Sequence, residues 1–317
     1  MKKKAYSQIT EILRDAKKGK MFILVDDGDR ENEGDLVIPG SKCNFKNINF
    51  MAKHGRGLIC LALTSKKVKK LNLPLMSSIN KSRTQTAFTV SIESKTGVTT
   101  GISAHDRAKT IKVAIQPNSN RNSIVSPGHV FPLVAKDGGV LERAGHTEAS
   151  VDISKLAKLN PSAVICEVMN EDGTMARYDD LIIFAKKHKL KIAKIEDLIS
   201  HRLRNEKLIK LISSKKIKIK KFGTFDLKFF KNRLDGSEHY AITKGKFSKN
   251  KASRVRVIST NVLNNFLNFN KDIYKNSLKH LNKHNNFALV LIKGTNINPS
   301  SSENNKILRY YGIGAQI

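Results

Sequence analysis

Cysteine is scarce. The 317 residues hold three, Cys43, Cys60 and Cys166, far apart and without paired spacing. That excludes a disulfide framework and a cysteine zinc knuckle, and a reducing cytoplasm is the expected setting. Long apolar runs are also missing. No stretch reaches the roughly 18 apolar residues of a membrane-spanning helix, so no membrane partner is expected. The opening "MKKKAYSQITEILRDAKKGK" is basic but has no apolar core of the kind a secretion signal requires. Acids are few: 27 Asp+Glu stand against 58 Lys+Arg, a formal charge of +31. Such an excess raises nucleic-acid binding as a function. The lysines, however, are spread along the whole chain among many Asn and Ile, and the aromatic residues do not interleave with them as a stacking surface requires. Nucleic acid is therefore not an expected partner. Anionic small substrates are compatible with the charge.

What is present is a chain long enough for two domains. Residues 6–18 place Ile9, Ile12, Leu13 and Ala16 on one face, an amphipathic helix with Ser7 as a candidate N-cap. Met21 to Val25 reads as a buried strand, as do "GLICLALT" and "TAFTVSIES". "SAHDRAKTIKVAI" opens like a capped helix, "GHVFPLVAKDGG" is a strand and turn, and "GHTEASVDISKLAKL" a turn leading into a helix. "PSAVICEVMNEDGTMA" reads as a strand pair about an Asp-Gly turn. "RYDDLIIFAKKHKL" is helical, with acids in its first turn and lysines in its last, and "KIAKIEDLISHRLRNE" a short strand and helix. The irregular alternation implies a mixed α/β (α+β) class. The composition then shifts. Residues 205–317 carry 23 Lys+Arg against 6 Asp+Glu, a net of +17, with a basic stretch at 205–221 that reads as a linker between domains 1–204 and 222–317.

One segment runs against the basic balance. "DDGDRENEGD", Asp26 to Asp35, holds six carboxylates in ten residues. A solvated turn is the plain reading. Against it, Arg30 sits among the acids, suited to a phosphate or carboxylate, and Glu31, Glu33 and Asp35 alternate. An extended backbone would put those three on one face, where they repel unless a cation or shared proton relieves them. Such oxygen-rich clusters suit Mg2+ or Mn2+. A second constellation is "ERAGHTEAS": Arg143 and Thr147 could hold a phosphate beside backbone N–H groups opened by Gly145, and His146 could ligate a metal, although a lone histidine is more often a hydrogen-bonded surface residue. His129 follows a Pro-Gly turn, and Glu167 is an acid within an apolar strand, costly to bury unless paired, metal-bound or protonated.

Over about residues 5–204, "DDGDRENEGDL", "GHVFPL", "RAGHTEAS" and "CEVMNEDGTMAR" stand in the order and spacing of the 3,4-dihydroxy-2-butanone 4-phosphate synthase family, which the chain resembles. The resemblance implies conversion of D-ribulose 5-phosphate to L-3,4-dihydroxy-2-butanone 4-phosphate and formate, with Mg2+ or Mn2+, two ions per active site, in a homodimer. It implies Glu31 and His146 as metal ligands. Substrate contacts would come from Arg30, Glu31, Asp35, Arg143, Ala144, Gly145, His146, Thr147 and Glu167. Glu33, His129 and Glu167 would be catalytic. Residues 222–317 are more weakly similar to GTP cyclohydrolase II, through "FGTFDLKFFKNRLDGSEHYAITKG", "SRVRVIST" and "YYGIGAQI". Where that family has three zinc cysteines, this chain has Asn261, Asp272 and Tyr274, and residues 205–317 contain no cysteine. A degenerate, truncated, zinc-free domain is expected. The alternatives are a bifunctional enzyme with cyclohydrolase activity and a non-catalytic scaffold for riboflavin enzymes.

Overall fold

A computed structural model describes residues 6–81, 83–248, 252–260 and 271–293. It divides into two compact units, Met1–His201 and Arg202–Ile317. In chain order the first contains α1 (Ile9–Lys17), β1 (Phe22–Val25), β2 (Gly34–Pro39), α2 (Phe45–Phe50), β3 (Cys60–Thr64), α3 (Ser65–Leu71), β4 (Ile92–Ser94), α4 (Ala104–Ile115), β5 (Ile124–Ala135), α5 (His146–Leu156), β6 (Ser162–Glu167), α6 (Tyr178–Lys187) and β7 (Lys191–Lys194). The division falls inside α7 (Ile195–Asn205). The second unit holds β8 (Ile209–Ile219), β9 (Gly223–Asn232), β10 (Glu238–Lys244), β11 (Arg254–Thr260), α8 (Lys271–Leu281) and β12 (Phe287–Lys293). The class is mixed α/β, as the alternating pattern implies.

The first unit is built on a seven-stranded mixed sheet, ordered β4-β5-β3-β6-β2-β1-β7. Its central strands, "FILV", "GDLVIP" and "SAVICE", are buried along nearly their whole length. Continuous apolar runs of this kind are what a sheet covered on both faces requires. Ile23, Leu36, Ile38, Leu61, Leu63, Val164 and Cys166 pack on one face with residues of α2, α4 and α6. On the other face Ala62 and Ala135 pack with Val151 of α5. Because side chains alternate along a strand, Asp35 and Glu167 point opposite to Leu36 and Cys166, towards the α5 side. α5 is buried from His146 to Ser154.

Several local readings differ from the structure. The N-cap of α1 is Gln8, not Ser7, and the Gln8 N–H donates to the Glu11 carboxylate at 3.0 Å. In "TAFTVSIES" only Ile92–Ser94 is a strand. Upstream, the Thr89 N–H donates to the Pro132 carbonyl and the Val134 N–H to the Ala87 carbonyl, isolated bonds to the outer edge of β5. Pro132 has no N–H to return, so a continuous ladder cannot form there. "PSAVICEVMNEDGTMA" gives one strand, and beyond it isolated bridges, Val168 to Arg56 and Met169 to Met175, the latter about a turn with Gly173 at φ +86°.

In the second unit a five-stranded sheet is ordered β11-β12-β10-β9-β8. Residues 209–219, expected within a linker, form β8 and pair antiparallel with β9. The Ile/Lys alternation that reads as a charged spacer is a two-residue strand period: Ile217 and Ile219 join the core of Phe225, Phe287 and Leu289, while β8 is largely exposed and studded with lysines. Lysine is the usual protection of an open sheet edge. "RVRVIST" is strand β11. Asn261 and the terminal "YYGIGAQI" lie outside the described residues.

Candidate active site

β1 and β2 form an antiparallel pair closing at Val25 and Gly34, and the acidic segment is the loop between them. It is not extended. The Asp26 carboxylate, 1% exposed, accepts from the Glu31 N–H (3.2 Å), the Glu33 N–H (2.9 Å) and the Arg30 guanidinium (2.7 Å). The loop is thus wrapped about a side chain that satisfies its own backbone, as Asp does in turns. Asn32 takes the left-handed conformation (φ 54°), which breaks the strict alternation of Glu31, Glu33 and Asp35. The loop is also held from outside. Arg177 donates to the Glu31 and Asn32 carbonyls at 2.6 and 2.7 Å, and Arg83 to the Arg30 carbonyl at 2.8 Å.

Asp35 and Glu167 face each other in register across β2 and β6. Like charges directly opposed in a ladder destabilise it. Burial pushes the Asp35 carboxyl well above the usual carboxylate range, and the charges of Glu167, Glu31, Asp26 and Glu33 add to this. Glu167 is raised chiefly by burial, against the Leu58 N–H that donates to it at 2.8 Å. Glu33 is raised by burial and by Glu31, with Arg177 opposing. Gly57 permits this arrangement: a Cβ there would lie 2.5 Å from the Glu167 carbonyl oxygen and 2.6 Å from its carboxylate.

His146 and Thr147 open α5, with Gly145 as N-cap. His146 is 6% exposed; its Nδ1 lies 3.8 Å from Glu31 and 3.9 Å from Asp35, and its Nε2 has no hydrogen-bond partner. Burial lowers its pKa, with Arg30 acting in the same direction against Asp26 and Glu31. Asp26, Glu31 and His146 each offer a ligand atom within 4.8 Å of the others. Arg143 donates to Glu148 (2.6 Å), to the Thr84 carbonyl (2.9 Å) and to the Thr86 hydroxyl (3.0 Å).

These elements enclose a cavity of about 400 Å³ on the α5 side of the sheet. Arg30, Glu31, Glu33, Asp35, Arg143, His146, Thr147 and Glu167 line it. Of the other expected site residues, Ala144 and Gly145 are not in the lining; Gly145 lies beneath the Arg143–Glu148 pair, where a Cβ would meet the guanidinium at 2.3 Å. His129 is also outside it, on β5, with Nδ1 3.0 Å from Glu93. The third wall is drawn from residues 75–80 and 84–88, which supply Asn80, Thr84 and Thr86. Nothing in its spacing marks it as part of a site, nor does spacing single out Asp26, Arg83, Arg177 or Glu148.

The 3,4-dihydroxy-2-butanone 4-phosphate synthase family model matches residues 10–201, more than half of the chain, and the GTP cyclohydrolase II model matches residues 210–298. The chain belongs to the 3,4-dihydroxy-2-butanone 4-phosphate synthase family. A 3,4-dihydroxy-2-butanone 4-phosphate synthase of Neisseria meningitidis is 42% identical over 98% of this chain and 89% of its own length. The riboflavin biosynthesis protein RibBA of Aquifex aeolicus is 51% identical over 80% of this chain, and the match spans 63% of that protein, less than two thirds. Among solved structures, RibBX of A. baumannii, a two-domain 3,4-dihydroxy-2-butanone 4-phosphate synthase, superposes with a TM-score of 0.82 and 41% identity over 98% of this chain and 89% of its own. A synthase in complex with two magnesium ions gives a TM-score of 0.61 and 38% identity over 63% of this chain and 98% of its own.

The crowding of acids makes a prediction for this family member without metal. A carboxyl whose pKa is raised on folding binds its proton more tightly in the native state, so stability falls as pH rises from the unfolded value through the folded one. Asp35→Asn removes a buried carboxyl whose pKa is raised well above the usual carboxylate range. In EDTA the variant should melt a few degrees above the parent at about pH 8, and its melting temperature should fall less between about pH 5 and pH 8. Thermal unfolding across that range checks this; an Asn variant that melts lower at high pH contradicts it.

Proposed function

We propose that the first unit converts D-ribulose 5-phosphate to L-3,4-dihydroxy-2-butanone 4-phosphate and formate, as a step of riboflavin biosynthesis. The observation that carries this is the convergence on one cavity of a buried carboxylate group and, beside it, a helix N-terminus with an arginine. The donor set fits a hard divalent cation, Mg2+ or Mn2+: carboxylate oxygens together with one imidazole that burial keeps neutral. Glu31 and His146 would hold it. Asp26 supplies charge, but its oxygens already accept from the loop. Two ions per site accord with the solved synthase that carries two magnesium ions. A bound cation would supply Lewis-acid stabilisation of negative charge developing on the substrate oxygens.

The remaining chemistry belongs to the chain's own side chains. The reaction requires a proton to leave the carbon next to a ketone, a hydroxyl to leave, and further proton transfers as one carbon is expelled. Glu33 and Glu167, both raised towards neutrality, are suited to take and return those protons. Arg143, Thr147 and the free N–H groups of the first turn of α5 are suited to the phosphate. Arg30 and Asp35 would fix the sugar hydroxyls, and Leu75, Met76 and Phe88 of the third wall would exclude water.

His129 is not among the residues that line the cavity of its own chain, and a site completed by a second copy would give it a role in turnover. A homodimer would supply it. The second unit is proposed to lack GTP cyclohydrolase activity and zinc, because residues 205–317 have no cysteine for a thiolate site and Asn261, Asp272 and Tyr274 stand at the matching positions.

Purified protein with Mg2+, offered ribulose 5-phosphate and GTP separately, should release formate and dihydroxybutanone phosphate from the first and no product from the second. Turnover of GTP would restore the bifunctional reading, and no turnover of either would favour the scaffold. Glu31→Ala and His146→Ala should each lower formate production by at least about a thousandfold with the fold retained; near-normal turnover overturns the ligand assignment. Mixing inactive His129→Ala with inactive Glu31→Ala should regain up to about a quarter of parental activity, since mixed dimers hold one intact site. No recovery in demonstrated mixed dimers places His129 within its own chain's chemistry.

A further inference from the structure

Arg143 reaches three partners on two separate elements. Its one terminal nitrogen donates to Glu148 of α5 at 2.6 Å, and its other to the carbonyl of Thr84 and the hydroxyl of Thr86 at 2.9 and 3.0 Å. Glu148 is 1% exposed, and its second carboxylate oxygen accepts from the Lys136 N–H, just beyond β5, at 3.0 Å. Glu148 is therefore tied at once to the sheet end and to the guanidinium. A charge pair this enclosed has one geometry. Gly145 leaves the space for it, since a Cβ would lie 2.3 Å from the Arg143 nitrogen and 2.9 Å from the Glu148 oxygen.

The far end of this strut is the wall formed by residues 75–81 and 83–88. Its base is tied by the Met76 N–H to the Phe88 carbonyl and the Val90 N–H to the Pro74 carbonyl. Nearer its tip, Thr84 and Thr86 rest on Arg143 and Arg83 reaches the Arg30 carbonyl. The exposed Leu75, Met76 and Ile79 give the segment little apolar burial of its own. Its place as a cavity wall thus depends on polar struts.

We propose that Glu148 is a positioning residue that acts through Arg143, holding the 75–88 segment as the third wall and so setting how tightly the anionic end of the substrate is bound. This rests on the phosphate-binding reading of Arg143 and Thr147 given above. The test is made on the full chain. Glu148→Gln keeps the shape of the side chain and removes its charge. It should speed amide hydrogen exchange in residues 75–88 by about tenfold and raise KM by about tenfold, with kcat within about threefold of the parent. In an Arg143→Lys background Glu148→Gln should have no further effect on KM, because both changes break one strut. Unchanged exchange in 75–88, additive effects in the double variant, or a fall in kcat at constant KM would each overturn the proposal. Should Glu148→Gln fail to fold, Arg143→Lys reads the same strut, and unchanged exchange there is equally contrary. Exchange needs no turnover, so a wild-type protein inactive on ribulose 5-phosphate would refute the substrate while exchange still judges the strut.

Discussion

Asp35 and Glu167 face each other across one rung of an antiparallel ladder, and the rest of the site is organised around the cost of that juxtaposition. Two opposed carboxylates in a buried sheet repel, and Glu31, Glu33 and Asp26 approach the same point from the loop beyond β1. Nothing in the packing of the sheet calls for acids there, since the neighbouring rungs, Leu36 with Cys166 and Val37 with Ile165, are apolar. The protein holds Asp35, Glu33 and Glu167 with raised pKa values; Arg30 pairs with Asp26 and Glu31 within the loop, and Arg177 and Arg83 grip its backbone from outside. A cation at the centre would relieve the repulsion, and the neutral His146 is positioned to share in binding it.

The fold brings the parts together economically. A sheet buried on both faces sets Asp35 and Glu167 on the α5 side by strand alternation alone. Entry of α5 at Gly145 places His146 against the acids and Thr147 on the cavity wall. Gly57 and Gly145 are glycines for a concrete reason: each lies where a Cβ would collide with a residue of the site. Among the described residues, those that line this cavity belong to the first unit.

Much of this is legible in the sequence. Runs such as "FILV" and "SAVICE" announce buried strands, and a dense acid cluster in a basic chain announces an unusual site. Capping chemistry marked the start of α4, where the Ser103 hydroxyl accepts from the Asp106 N–H at 3.0 Å. Other features were hidden for physical reasons. The acidic segment is a turn because Asp26 bonds the backbone of Glu31 and Glu33, a choice that spacing cannot reveal. The stretch 86–91 has strand propensity but meets a strand edge interrupted by Pro132, so it became a cavity wall. The lysine-rich stretch 209–219 looks like a spacer until its isoleucines are seen to meet a core. Arg83 and Arg177 act on backbone 53 and about 145 residues away in the chain, contacts that local sequence cannot reveal; Glu148 lies within a recognisable motif, but its tie to Lys136 and Arg143 emerges only from the fold.

As a cation site, the carboxylate cluster would exchange protons held by its buried acids for the metal ion. Calorimetric titration of the metal-stripped protein with Mg2+, in buffers of different ionisation enthalpy, measures the protons released on binding. Release near neutral pH is predicted, because the cation must displace protons held by the acids with raised pKa values, and Glu31→Gln should abolish binding. Mg2+ binding without proton release, or no binding at all, would contradict the account.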